Sequence, residues 1–453
     1  MQVPAEKGGA LPTPSADVAH LLRRSGFGGP HVADIATLSA LNLPAVVDHV
    51  LDMSAAPPDP PPPEFSDPTQ HNWDRVWAMT KWWLDRMATS PTPLQEKMAL
   101  FWHGHFVSSE DKVNDATMMY DQNHLFRAQG LGGFEALCQA MALQPAMLRY
   151  LDNDPNVKGN PNENFARELM ELFTLGVNQY TQADVAASAR AWTGHNLDDT
   201  TGRYVFYPLR HDYGPETFMG VTQSWDGPDI IHFILTVEPH RSTAARYMAN
   251  KLWSFFAYPN PDSGLLDALQ TAFVSSNLDV TTLLRTIFNR PEFYSAQAKQ
   301  GLVKSPTEFV VAVLRATGLS ARAAQPWNMD QMGQELFYPP NVAGWKQNAY
   351  WIASTSTWAR MDYAANNVAW QTRAAGFLSQ IAARDAQNNY LMTPAQAVQA
   401  AFDAFGIDAP STSTRATLES WLTQQRAFPN VWRDYQFESL AILTMLTPEF
   451  ALS

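Results

Sequence analysis

Residues 304–318 read KSPTEFVVAVLRATG. Ser305 can cap a helix with its hydroxyl, and Pro306 suits the first helical position, where no N–H is needed. Glu308 can bond back to the cap, and Gly318 stands where the chain must leave its right-handed path. The same punctuation recurs in TPAQAVQAAFDAFG (393–406), with Thr393, Pro394 and Gly406, and in TQADVAASARAW (181–192), where Asp184 follows Thr181 by three residues. Strand signals are few and short, RYVFYP (203–208) being the best. The pattern predicts a mainly α protein, a large multi-helical globular unit with few short strands.

Outward from these helices, the one low-complexity stretch is AAPPDPPPPEF (55–65), which reads as a stiff polyproline linker. It would separate an N-terminal helical region (1–54) from a main helical unit (66–453). Two segments, LLRTIFNRPEFYSA (283–296) and LAILTMLTPEFALS (440–453), share an apolar helix ending in Pro-Glu-Phe, too little for a repeat architecture.

Composition bounds the function. With 31 basic against 44 acidic residues the net charge is −13, which disfavours nucleic acid and anionic membrane as partners, because phosphate binding needs a basic face. No apolar run reaches the length of a membrane span. The N-terminus lacks a basic start followed by an apolar core, so the chain reads as soluble and, if this is the full product, cytoplasmic. The single cysteine, Cys138, allows no intrachain disulfide and sits among apolar neighbours as a buried thiol. Fifteen tryptophans and 24 phenylalanines can fill a core or line a pocket.

The segment GNPNENFARELMELFTLG (159–176) carries the functional question. Asn160 can cap, Pro161 can start and Gly176 can stop a helix, with Glu163 bonding back to the cap and pairing with Arg167. On a helical wheel Glu163, Asn164, Arg167, Glu168, Glu171 and Thr174 occupy an arc of roughly 140°, the rest being apolar. Such a narrow polar strip meets solvent, buried partners or a polar cleft. In a cleft, desolvation would raise the carboxyl pKa of Glu168 or Glu171 and suit it to acid/base work.

EKMALFWHGHFVSS (96–109) adds His103 and His105, two apart and split by Gly104, which suggests a helix ending there. They read as core histidines or as a second base or ligand. No zinc-protease, calcium-loop, P-loop or nucleophile-elbow motif is present. His195 is expected at a helix end after Gly194, and His211–Asp212 in a loop. GFGG (26–29) and GLGG (130–133) read as turns. In LFYPPNVAGWKQNAYWIASTSTWAR (336–360), aromatics mix with amides and hydroxyls, as in a sugar pocket wall or a structural aromatic loop.

Two functional readings follow. In the first, an enzyme of hydrolase type uses Glu168, Glu171, His103 and His105 for proton transfer, or His105, Glu168 and Glu171 to hold a divalent metal ion. Asn164, Arg167, Trp345, Trp351 and Arg360 would bind a polyhydroxylated or polymeric substrate. In the second, the chain is a non-catalytic binding or assembly module and the acidic strip is structural.

The stretches HLLRRSGFGG, EKMALFWHGHF, YLDNDPNVKGNPNENFARELMELFTLGVNQYT, DVAASARAWTG, KLWSFF and LFYPPNVAGW resemble the bacterial family catalogued as domain of unknown function 1800. The likeness runs from about residue 17 to the C-terminal PEF, which implies one family-length helical unit. Relatives of this kind are often exported, and often encoded beside a family similar to alkaline phosphatases and sulfatases, which implies such a partner. Departures are His195, where relatives often carry Trp, and Glu216, where they tend to carry Lys after the His-Asp pair.

Overall fold

The three punctuated helices form as their caps dictate. In the computed structural model, helices Pro306–Thr317, Pro394–Phe405 and Gln182–Ala191 each begin with a reciprocal capping box, at Ser305–Glu308, Thr393–Gln396 and Thr181–Asp184. Gly318 and Gly406 stop the first two with φ of 68° and 67°, a conformation that costs glycine little. The structure describes residues 11–28, 32–58, 69–322, 324–427 and 435–453. Among these, helices dominate, and sheet is confined to two antiparallel pairs, His195–Leu197 with Tyr204–Phe206 and Glu216–Phe218 with Val221–Gln223. No described helix is long and apolar enough to cross a membrane. Of the proline-rich stretch, residues 59–65 lie outside the described residues, as does Gly29 of GFGG.

The chain divides into two compact units, each assembled from separated segments. The first joins Met1–Ala55, Phe288–Ser320 and Asn348–Ser453. Its core includes Val18 and Leu21 from helix Ser15–Ser25, and Phe309, Phe405 and Phe450, whose rings meet at centroid distances of 5.4–5.6 Å. Polar ties hold the distant segments together. Arg24 donates to the carbonyl of Ala298 and the hydroxyl of Ser453, both at 2.9 Å, and His20 Nε2 reaches the carbonyl of Phe293 at 2.9 Å.

The second unit joins Ala56–Ile287 and Ala321–Gln347. Helices Asn72–Thr89, Pro93–His103 and Ala116–Gln129 pack on one another around Glu96, which is fully buried. Its carboxylate accepts from Arg86 Nε at 2.6 Å, Arg127 Nε at 2.8 Å and Trp83 Nε1 at 3.0 Å. Arg86 also donates to the carbonyls of Pro58 and Pro57, at 2.7 and 3.1 Å, so the start of the proline-rich stretch is tied to this triad. Cys138 is buried, as expected, and lines a cavity with Phe106, Phe165 and Phe173. The GLGG stretch is a turn, with Trp102 Nε1 donating to the carbonyl of Gly130 at 2.8 Å.

Candidate functional site

The segment 159–176 does not form the single α-helix expected of it. Helix Asn164–Glu168 starts later than the proline suggests, with the Asn162 side chain accepting from the Asn164 N–H at 2.9 Å. Glu163 is therefore the residue before the helix and closes no capping box, although its pair with Arg167 forms at 3.1 Å. From Leu169 to Thr174 the chain continues as a π-helix, stopped by Gly176 at φ 89°. Bonding from i to i+5 turns the chain less per residue than an α-helix, so the wheel drawn for a regular helix fails after Glu168. Thr174 leaves the polar strip: it is fully buried and donates to the carbonyl of Leu169 at 2.6 Å.

The wider turn presents two carbonyls sideways. Leu172 accepts from the Tyr247 hydroxyl at 2.9 Å, and Phe173 accepts from His105 Nε2 at 3.1 Å. A carbonyl only accepts, so the His105 proton sits on Nε2, and buried Nδ1 has no partner. Burial, aided by the Lys251 charge, pulls the His105 pKa far down and keeps the ring neutral. His105 is thus a clamp on the π turn. With Glu168 and Glu171 it does not make the expected metal set: among the described residues no three His, Cys, Asp or Glu side chains converge to hold a metal ion. Glu168 and Glu171 do stay together. Burial and then the Glu171 charge raise the Glu168 carboxyl above its usual range, and Glu171 accepts a hydrogen bond from Tyr180.

His103 has a different job. Its Nε2 accepts the backbone N–H of Phe337 at 3.1 Å, and burial holds the ring neutral, its pKa pulled down to about 3. Phe337 adopts φ 70°, a strained conformation for a side chain of this size. Its carbonyl in turn accepts the N–H of Glu110 at 2.9 Å. Trp345 packs its ring against His103 at 5.3 Å. Gly344, at φ 75°, approaches so close that an added Cβ would lie 2.7 Å from the Gly104 carbonyl. The two motifs EKMALFWHGHF and LFYPPNVAGW are therefore one lock, and the histidine in it positions backbone.

What the lock holds is a second acidic group, which sequence reasoning missed. Glu335 and Tyr338 flank Phe337, and Glu110 and Asp111 open helix Glu110–Val113 opposite them. Burial, then the charges of Asp330 and Asp111, push the half-buried Glu335 carboxyl up to about 7. Glu110 is nearly inaccessible, and burial pushes it up to about 7 against the bond it accepts from the Asn72 side chain. Burial and the charges of Glu110, Glu335 and Asp111 hold the Tyr338 phenol protonated. Burial, then the charges of Glu168 and Asp111, push the Tyr150 phenol up. The nearby Lys112 is committed to Asp152 at 2.7 Å, and Asn164 donates to the same carboxylate at 3.2 Å. The only sequence signal for Glu335 and Glu110 is that each lies within a few residues of a recognised motif.

The remaining candidates fall elsewhere. Trp351 and Arg360 belong to the first unit, not the second. Trp351 is buried with its indole N–H unpartnered, and buried Arg360 donates to the Lys304 carbonyl at 2.6 Å. His195 stands in a strand and not at a helix end, bonding Asp226 through Nε2 at 2.6 Å and the Tyr204 hydroxyl through Nδ1 at 3.0 Å. Arg190 pairs with both Asp212 and Glu216, so the departure at Glu216 is neutralised locally.

No curated protein and no solved structure matches the chain. The family described as "Protein of unknown function (DUF1800)" matches residues 20–452. The resemblance carried by the motifs thus extends over nearly the whole chain, and the chain belongs to that family.

Proposed function

We propose that the chain is an acid/base hydrolase acting on a polyhydroxylated polymer, with Glu335 as its proton-transfer residue. The observation behind this reading is the state of that carboxyl. It is half exposed, its pKa is raised to about 7, and it sits on a loop whose strain is held by His103 and the Glu110 backbone. A carboxyl titrating near neutral pH both gives and takes a proton readily, and perturbed groups of this kind concentrate at functional sites. Protonated Glu335 would hand its proton to the leaving-group oxygen as its bond to carbon breaks, and the ionised carboxylate would then take a proton from the water that adds to that carbon. Asp111, whose charge acts on Glu335, would stabilise positive charge developing on the substrate. Glu110, too buried to touch substrate, is a positioning residue.

The test is Glu335→Gln, assayed for release of reducing ends from a panel of polysaccharides, with thermal unfolding as the control. An acid/base role predicts a fall of about 10²–10⁴ in rate with little change in stability. Activity equal to wild type would overturn the reading and leave the binding or assembly module as the better description.

A further inference from the structure

Elsewhere in the second unit three side chains stand in one hydrogen-bonded line. Strand His195–Leu197 pairs with Tyr204–Phe206, and Asp226 caps helix Gly227–Thr236 beside them. His195 Nε2 meets Asp226 Oδ1 at 2.6 Å, and His195 Nδ1 meets the Tyr204 hydroxyl at 3.0 Å. Against burial, the bond from His195 and the N–H of Gly227 hold the Asp226 carboxyl below its usual range. An ionised carboxylate only accepts, so the imidazole proton sits on Nε2 and the Nδ1 lone pair faces the phenol. Burial, then the Asp226 charge, raise the Tyr204 phenol, which therefore stays an O–H donor to Nδ1. The rings of Trp192 and Phe206, with centroids at 5.0 and 4.8 Å, pin the imidazole.

Hydroxyl, base and orienting acid in this order are the arrangement that activates a nucleophile. Capping the helix needs Asp226 but not His195, and the strand pair is held by its backbone. The line also opens outward at both ends: His195 is 2% exposed, whereas Tyr204 is half-buried and the Asp226 side chain is 46% exposed. Among the described residues no lysine or arginine side chain bonds any of the three. An anionic phosphate or sulfate ester would meet the Asp226 charge without a compensating cation, and a neutral carboxylic ester avoids that repulsion.

We propose that Tyr204 is a nucleophile toward neutral carboxylic esters, with His195 as its general base and Asp226 as a positioning residue. The Tyr204 oxygen bonds to the ester carbonyl carbon while its proton moves to Nδ1. The bond from that carbon to the alcohol oxygen then breaks, and the departing oxygen takes the proton. Water next adds to the tyrosyl ester and gives a proton to Nδ1, which returns it to the Tyr204 oxygen as the Tyr204 bond to carbon breaks. The products are an alcohol and a carboxylic acid, and no atom of the Glu335 group takes part.

The experiment treats the full chain with p-nitrophenyl acetate, follows nitrophenol release and maps acetyl groups by peptide mass after an acid quench. Release should fall about 10²-fold or more in Tyr204→Phe, which keeps the ring, and in His195→Gln. Acetyl removable by hydroxylamine, unlike a lysine amide, should map to Tyr204 and not to the 56% exposed Tyr213. Asp226→Asn should slow release about tenfold or more, and Asp226→Glu should restore most of it. Helix capping alone predicts the opposite order, because Asn caps as well as Asp. Release from Tyr204→Phe at the wild-type rate, or acetyl confined to lysines or to Tyr213, overturns the nucleophile. Asp226→Asn at the wild-type rate overturns the role of Asp226.

Discussion

Glu110 and Glu335 make stability depend on pH with a definite sign. Their folded pKa values lie near 7, above the ordinary carboxyl value of 4.5. Between those limits the folded chain keeps protons that the unfolded chain releases. The contribution is therefore complete below the unfolded value and is lost as pH rises through about 7. Glu110→Gln removes the group that must ionise in place, so it should raise stability by about 2 kcal/mol above neutral pH and do little in acid. Unfolding midpoints from about pH 5 to about pH 8 check this. Parallel wild-type and variant curves would mean that Glu110 ionises without cost. Glu335, being half exposed, should show the same sign with a smaller effect. At this scale the sequence pointed to some of the right motifs but not to the acids beside them. His103 was legible as a notable side chain, while its use as an acceptor for a strained Phe337 N–H depends on residues 234 positions apart.

At the scale of elements, the buried ion triad is the sharpest test. Glu96 joins helix Pro93–His103 to Arg86 on Asn72–Thr89 and Arg127 on Ala116–Gln129. Glu96→Ala would strand two buried guanidinium groups, and the expected loss is about 3–5 kcal/mol by denaturant unfolding. A loss under about 1 kcal/mol would show that the arginines find solvent or other partners. The π turn belongs here too. Local punctuation predicted where helix 164–174 stops, through Gly176, but not that it widens after Glu168. That widening is stabilised from outside by His105 and Tyr247, whose contributions no local propensity contains.

At the scale of the whole molecule, the first unit draws residues from both ends of the chain. Removing residues 1–55 would delete helix Ser15–Ser25, with buried Val18 and Leu21 and the bonds from Arg24 to Ala298 and Ser453. The truncated chain should bind an apolar dye and lose near-ultraviolet dichroism, because the side chains that pack on Val18 and Leu21 are uncovered. Unchanged spectra would show that this core closes without the N-terminal helix.

The sequence by itself determined what is local: the helical class, the caps at Ser305, Thr393 and Thr181, the buried Cys138, and the family through its motifs. Each follows from backbone chemistry or apolar pattern within about a turn or two. Only the tertiary structure decided which acidic residues are desolvated together. Trp345 and Trp351, neighbours in one aromatic stretch, fall in different units, while Glu110 and Phe337 meet across more than two hundred residues. A carboxyl pKa is set by what packs over it and which charges lie near it. That information lives in the fold, not in the spacing of residues along the chain.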